Sequence, residues 1–422
     1  MNKAELMKNS EFYDQRHNFY LNLSRVGQGG LCLAVILGIL TFIGGIFVVE
    51  ETSRTWGSLL FNLMFFFSLS LGGIAFGNMQ DVIGATWGRP IKRLHESFGA
   101  FIPWAVGLFF ILLVCIKFGW LKANEMYRWV ADPSILSHFH GKDVWLQYDF
   151  MMIRDVVALL IILGLSTWHL RITTKRDLSL VNGDKKEAQR LGEEAKQKLR
   201  HWSAPIMVVY SLTFSLICFD LTMSLAPTWF STLWGGWSFA IMMQTLMALT
   251  LIMMFLLKGT TTGQYIKKKQ FHDCGKLMFG FTVFFAYLTY AHILTYWYGN
   301  VPEETSYFLK RLEAPWIYFV MVSPFLSFLF PFFTLIPKAS KWAAPITIPV
   351  SLVVLTSQWL NYMLVVIPEV TDGKTWTFPW IEIGLFFGMF GLFFFSIFKF
   401  GKKIPMIGIA DPLLPAALHE DH

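Results

Sequence analysis

The chain alternates between long apolar segments and connecting segments of differing charge. About ten segments have the roughly 20 apolar residues that a helix needs to cross a bilayer. They lie at about 30–49, 57–79, 97–118, 149–170, 204–226, 234–257, 276–298, 315–337, 343–366 and 378–400. With 55% hydrophobic residues and a mean hydropathy of +0.49, the chain is too apolar for a soluble domain. The pattern predicts an all-α, polytopic membrane protein of about ten transmembrane helices.

Lysine and arginine are concentrated in every second connecting segment. Most of the 35 basic residues lie in the N-terminus, in the C-terminal tail, and in the loops 80–96, 171–203, 258–275 and 338–342. Because cytoplasmic loops carry this excess, we expect both termini in the cytoplasm. The net charge of +7 is explained by these loops, so membrane lipids are expected partners and nucleic acid is not.

These assignments divide the chain into a cytoplasmic extension at 1–29, a membrane domain at 30–400 and a cytoplasmic tail at 401–422. The largest cytoplasmic loop is 171–203. In its second part, glutamate alternates with lysine and arginine at helical spacing. This spacing predicts a short, solvated helix within the loop.

The cysteines and histidines do not predict a metal or haem site. The four cysteines are isolated, and no CxxC or CxxCH motif occurs: Cys32, Cys115, Cys218 and Cys274. Covalent haem and a cysteine-ligated iron–sulfur cluster are therefore not expected in this chain. His138 and His140 lack a third ligand nearby. His169 and His292 are predicted near opposite membrane faces, so they cannot ligate one haem.

Five ionisable residues interrupt the apolar segments at one predicted depth, in the outer half of the membrane: Arg154, Asp155, Asp220, His292 and Glu382. A charge inside a bilayer costs at least a few kcal/mol unless it is paired or hydrated, so such residues indicate function by default. The layer is compatible with a proton path, a quinone-headgroup site or an ion-pair clamp. Neighbouring residues on a helix point about 100° apart, which makes Asp220 a suitable partner for Arg154.

A second, smaller group of ionisable residues lies at the predicted cytoplasmic ends of the helices: Asp81, His95, Glu96 and His169. Charges are common at membrane interfaces, so this group indicates a proton role less specifically. It is kept as a candidate extension of the proton path.

Two long motifs lie in the second half of the chain. Residues 219–232 read FDLTMSLAPTWFST, and residues 271–305 contain GKLMF and YWYGNVPEET. The first resembles the D-x-x-M-S-L-x-P-x-W-[FY]-S-T signature of the NrfD-like membrane subunits of alternative complex III. The second resembles the D-L-G-K-L-x-F … W-Y-A-N-L-P-E-E-T segment of the same subunits. Shorter matches are GATWGRPIKRLHE at 84–96 and IADPLLPAAL at 409–418.

The resemblance implies a subunit of a quinol:cytochrome c (electron-acceptor) oxidoreductase in a bacterial inner membrane. The motifs are more similar to the smaller, ActF-type subunit than to the NrfD-like subunit beside the iron–sulfur protein. The implied partners are that second NrfD-like subunit, an iron–sulfur subunit, multihaem and monohaem cytochrome c subunits and, as a further candidate, a terminal oxidase. Quinol, haem c and iron–sulfur clusters would be bound by those partners, and this subunit would hold no redox centre.

The resemblance also implies a fold and site residues. The fold would be two four-helix bundles plus two peripheral helices. Asp220 matches the motif aspartate, Arg154 matches an arginine of the fourth helix, and the outer turn is matched by Asn300, Glu303 and Glu304. Residues 290–292 read Tyr-Ala-His where a Ser-Gln pair is expected, so His292 is assigned by its depth alone.

The sequence therefore predicts a subunit that anchors such a complex and contributes a proton path. Two alternatives stay open. One is a purely structural anchor, which would carry no protons. The other is a secondary transporter, for which inverted repeats and a polar layer at the membrane midplane are typical; no internal repeat is evident, and the predicted layer is off-centre.

Overall fold

The protein is described by a computed structural model over residues 14–15, 17–21, 23–49, 51–138, 141–371 and 379–419, with the backbone alone at 137, 138, 303 and 419. Every regular element in these ranges is helical. Ten helices within them are long and apolar enough to span a membrane. They are α1 (Arg25–Val48), α2 (Thr52–Val82), α3 (Arg89–Phe118), α4 (Tyr148–Val181), α5 (Lys185–Leu221), α6 (Trp234–Leu257), α7 (Lys268–Gly299), α8 (Trp316–Leu335), α9 (Ala344–Val370) and α10 (Trp380–Gly401). The predicted all-α polytopic membrane protein is confirmed.

The ten helices form two four-helix groups with a pair at the side. Helices α2–α5 pack together, α6–α9 pack together, and α1 and α10 pack mainly against each other. Helix α2 lies at the centre because it contacts members of both groups and α10. Its phenylalanines, including Phe61 and Phe67, are completely buried. This arrangement agrees with the expected two bundles and two peripheral helices.

The peripheral pair is joined by a very close backbone approach. A Cβ atom placed on Gly38 of α1 would lie 2.4 Å from the Cα of Gly388 in α10. Only glycine leaves room for this contact. Close approach at small residues is a common way for helices to associate in lipid, where apolar surface alone provides little driving force.

The predicted cytoplasmic loop at 171–203 is wrong in its extent, because α4 and α5 continue through it and leave only 182–184 as a connection. Asp184 caps α5 by accepting a 2.9 Å hydrogen bond from the Glu187 backbone N–H. Arg190 then forms ion pairs along the exposed helix surface, beginning with Glu187. Hydropathy indicates where a span leaves the bilayer. The contacts of Asp184 and Arg190 stabilise the part of α5 that lies beyond that point. The expected short, solvated helix is the first part of α5.

The two ends of the described chain lie on one side of the protein. The Met406 backbone N–H donates to the Phe19 carbonyl at 2.8 Å, and the Leu21 N–H donates to the Gly401 carbonyl at 2.9 Å. This placement agrees with an even number of spans. We call this side the terminal side, which the sequence predicts to be cytoplasmic. The distal side carries the α3–α4, α5–α6 and α7–α8 connections.

Candidate functional site

Asp220 lies near the distal end of α5, where the chain is held by aromatic residues of the α3–α4 connection. The Tyr127 hydroxyl donates to the Leu221 carbonyl at 2.8 Å, and the Trp129 indole donates to the Ser224 carbonyl at 2.9 Å. Carbonyls at the end of a helix have no partner within it. These two bonds satisfy them and fix the backbone beside Asp220.

Arg154 of α4 forms the principal ion pair with Asp220. Its Nε and Nη2 atoms lie 2.8 and 2.6 Å from the Asp220 Oδ2. The Trp145 indole donates to Oδ1 at 3.1 Å, and its ring lies 3.8 Å from the Arg154 guanidinium carbon. The pairing expected from helix geometry is therefore present, and the loop residue Trp145 completes it.

Asp155 is fully buried and is a neighbour of Asp220. None of the donors in the described ranges reaches either oxygen of its carboxyl group. Of the two carboxyl groups, Arg154 therefore bonds only that of Asp220, and Asp155 lies beside this ion pair. We call Arg154, Asp155 and Asp220 the distal acid site.

Glu382 forms an ion pair with a residue outside the five that are predicted at one depth. Arg54, at the distal start of α2, donates from Nε to Glu382 Oε1 at 2.8 Å and from Nη2 to Oε2 at 3.1 Å. Both side chains are buried. Asn62 donates to the Glu382 backbone carbonyl at 3.3 Å and accepts from the Trp359 indole at 2.8 Å. This pair joins α2 to α10. Arg54 was not among the candidate residues because it lies just before the predicted span at 57–79.

His292 lies in the wall of a cavity of about 490 Å³ on the distal side of the second bundle. Aromatic rings are prominent in the wall, among them those of Trp229, Trp234, Trp237, Tyr296 and Tyr307. His292 is 6% exposed, and its Nε2 has no hydrogen-bond partner among the described residues. We call this space the distal cavity. It offers aromatic faces and one unpartnered imidazole nitrogen to a ligand.

One edge of the distal cavity is held by a buried ion pair. Arg311 lies over the Tyr307 ring, with its guanidinium carbon 3.5 Å from the ring centre, and pairs with Glu369 at 2.8 Å. Burial raises the pKa of Tyr307 to about 12, so its phenol stays protonated at neutral pH. Tyr307 also stacks on Trp229 with ring centres 4.1 Å apart. These contacts fix the cavity wall before any ligand arrives.

A chain of buried amide and hydroxyl groups leads from the distal cavity into the second bundle. Ser323 donates to Asn361 at 2.5 Å, and Asn361 donates to Gln358 at 2.9 Å. Gln358 in turn donates to Gln244 at 2.5 Å, and Gln244 donates to Thr282 at 2.9 Å. Gln244 also donates to the Ser327 carbonyl, in the π-helical turn Phe325–Leu329 that interrupts α8. This chain was not predicted from the sequence, because its amide and hydroxyl groups carry no charge.

The terminal side contains a larger buried ion network. We call it the terminal network: Asp81, Arg89, Lys92, Arg93, Glu96, His169, Arg176, Asp177 and Asp411. Its four carboxylates are matched by four lysine and arginine side chains. A balanced set of this kind limits the cost of placing charge in a low-dielectric environment.

Glu96 and His169 are in direct contact within this network. His169 Nε2 lies 3.0 Å from Glu96 Oε1, and Arg93 lies 2.7 Å from Oε2. Arg93 also pairs with Asp177. His95 instead packs against the Phe76 ring, 4.9 Å between centres, and forms no ion pair with a described residue.

Asp81 and the C-terminal tail complete the network. Lys92 lies 2.6 Å and Arg89 lies 2.7 Å from the Asp81 carboxylate. Asp411 lies 2.8 Å from Arg176. Burial alone would raise the pKa of the Asp411 carboxyl group. The neighbouring charges of Arg176 and Arg89 instead hold this pKa well below its usual range. The tail motif at 409–418 is therefore anchored to the spans by charge.

The outer-turn residues lie beside the distal cavity. Asn300 ends α7 in the left-handed conformation at φ 46°, which asparagine tolerates better than most residues, and it lines the cavity. Glu304 lies in the short helix Pro302–Leu312 that follows. The side chain of Glu303 lies outside the described part of the structure.

The five residues predicted at one depth thus fall into three contact groups. Arg154, Asp155 and Asp220 meet, Glu382 joins Arg54, and His292 lines the distal cavity. The predicted terminal-side group, apart from His95, lies in the terminal network. A comparison with protein-family models gives no match, and a search of curated proteins gives none either.

Proposed function

We propose that this chain is a membrane subunit of a quinol:cytochrome c (electron-acceptor) oxidoreductase of the alternative complex III type, in a bacterial inner membrane. It anchors partner subunits that hold the haem c and iron–sulfur clusters, and it carries protons through its own helices. The motif resemblance supports the complex. The observation that supports proton transfer is the distal acid site, where the buried Asp155 lies beside the Arg154–Asp220 ion pair and receives no hydrogen bond from a described residue.

Charge balance explains why this site would hold a proton. Arg154 and Trp145 both donate to Asp220, which stabilises its ionised form. Asp155 receives no such bond, and a buried carboxylate without a donor or counter-charge is costly. A proton on Asp155 removes that cost and lets its hydroxyl donate to Asp220. The site then exchanges a proton whenever the surrounding charge changes.

The proposed route runs along one face of α4. Ser166, which bonds the Tyr210 hydroxyl at 3.0 Å, and then His169 follow Asp155 on that face. Asp155 and Ser166 are roughly 16 Å apart along the helix, at 1.5 Å per residue. The intervening helix surface is apolar, so internal water must bridge this interval. The Glu96–His169 contact would connect the route to the terminal side.

Purification of the chain from its own membranes in mild detergent tests membership of the complex. We expect a multihaem cytochrome c and an iron–sulfur protein to co-migrate with it. A reduced-minus-oxidised spectrum should show c-type haem in the same fraction. A lone protein with no haem spectrum would contradict the proposal and favour the transporter alternative.

A second candidate role, contact with the quinol ring, is favoured by His292. A hydroquinone is a planar ring with two hydroxyl groups. The distal cavity offers aromatic faces for stacking and a buried imidazole nitrogen, without a protein partner, that can accept a hydroxyl hydrogen bond. Its volume of about 490 Å³ falls in the range of small-molecule sites.

Replacing His292 with phenylalanine is expected to weaken the binding of a short-chain quinone roughly two- to tenfold, the usual net value of one hydrogen bond. Quenching of tryptophan fluorescence measures binding on the isolated chain, because four tryptophans line the cavity. Tyr290→Phe is the matched control, since Tyr290 is 62% exposed on the same helix. Equal quenching in H292F and the wild type would exclude this role for His292.

A further inference from the structure

A second cavity, of about 300 Å³, opens on the terminal side between α2, α5 and the C-terminal tail. Four basic side chains line it, against two carboxylates: Arg89, Arg176, Lys196 and Arg200, with Asp81 and Asp411. Both carboxylates already contact cations of the terminal network. The cavity therefore has an excess of positive charge available to a ligand.

The two cations from α5 are the ones least engaged by the protein. Lys196 and Arg200 are one helical turn apart and both are exposed. Lys196 has a weak ion pair with Glu193 at 4.0 Å. Arg200 forms no ion pair with any residue in the described ranges. Opposite them, Arg176 is 2% exposed, and its Nε–H donates no hydrogen bond to a described residue, although Nε lies 3.5 Å from Asp177 Oδ1.

Exposed apolar side chains near the cavity lead us to expect its mouth at the level of lipid headgroups. Trp202, two residues after Arg200, is 51% exposed, which is typical of tryptophan at a membrane interface. Val82 and Ile83, which line the cavity, are 41% and 66% exposed. Apolar surface therefore continues directly from the basic cavity toward the lipid phase.

We propose that this cavity binds a phosphate group, supplied by the headgroup of an anionic phospholipid or by a soluble phosphate compound. The excess of two positive charges in the lining matches the charge of a phosphate group, and arginine suits it through paired N–H donors. Basic pockets between helices on the cytoplasmic side are suited to anionic headgroups. Val82 and Ile83 would contact the acyl chains if the source is a lipid.

The test measures binding of phosphatidylglycerol, phosphatidylcholine and inorganic phosphate to the delipidated full chain in detergent. We expect phosphatidylglycerol to bind more tightly than phosphatidylcholine. The double variant Lys196→Gln/Arg200→Gln should bind it roughly 30-fold more weakly, since each cation near a membrane surface contributes about fivefold. Lys198→Gln is the matched control, because Lys198 is exposed on the same helix and does not line the cavity.

Two further results separate the sources of the phosphate. Weaker lipid binding in Ile83→Ser, with phosphate binding unchanged, would identify a phospholipid. Saturable phosphate binding that K196Q/R200Q abolishes, without a preference between the two lipids, would identify a soluble phosphate compound. If neither lipid charge nor these cations affect binding of any of the three probes, the proposal is wrong.

Discussion

Replacing Arg54 with methionine, or Glu382 with leucine, is expected to lower the free energy of unfolding by about 3–5 kcal/mol, the usual effect of breaking a buried ion pair. Both side chains are almost inaccessible, and two hydrogen bonds of 2.8 and 3.1 Å join them. R54M leaves the Glu382 carboxylate without the guanidinium that contacts it, and E382L removes the carboxylate that Arg54 Nε and Nη2 contact. Unfolding in an SDS titration of the purified protein measures the loss.

The double variant R54M/E382L separates the charge effect from packing. Because it removes both charges and substitutes apolar groups of similar length, its loss should be much smaller than the sum of the single losses. The exposed pair Lys117–Asp149 provides the control, and breaking it should cost at most about 1 kcal/mol. Additive losses in R54M/E382L would mean that the two residues are not coupled.

The spans could be predicted from the sequence because the bilayer leaves few choices, whereas their grouping into two bundles and a peripheral pair was expected only from the family resemblance. Every backbone group inside it must be satisfied, so each long apolar segment forms a helix. Helix α6, predicted at 234–257, has those bounds in the structure. The extension of α4 and α5 was missed because their polar ends resemble a loop in hydropathy. Capping and ion pairs, rather than hydropathy, determine where those helices end.

The ion-pair partners were harder to predict than the buried charges. Asp220 and Arg154 were paired correctly because both interrupt apolar segments. Arg54 was missed because it lies at the edge of its span and was counted among the loop residues. The partners in the terminal network were missed for a related reason, since a cluster of basic residues at 84–96 is typical of a cytoplasmic loop. Asp411, an acidic residue of the tail motif, could have indicated that the basic residues at 84–96 have a carboxylate partner.

Replacing Asp155 with asparagine is expected to abolish proton translocation by the assembled complex while quinol oxidation continues. Asparagine keeps the size of the side chain, and its amide still donates to Asp220, but it does not exchange a proton. Because a protonated Asp155 is already neutral, the substitution should change stability by less than about 1 kcal/mol. The ratio of protons translocated to electrons transferred, in vesicles that contain the complex, measures the effect.

Two comparisons make this result specific to the distal acid site. Asp149 lies on the same helix, and its side chain is 59% exposed, so Asp149→Asn should leave the ratio unchanged. The infrared spectrum of the isolated chain should contain a carboxylic-acid C=O band that is lost in D155N, because Asp155 is a buried carboxyl group that no donor among the described residues reaches. If D155N retains the full proton-to-electron ratio, the chain is a structural anchor. The Arg154–Asp220 pair then serves only to hold α4 against α5.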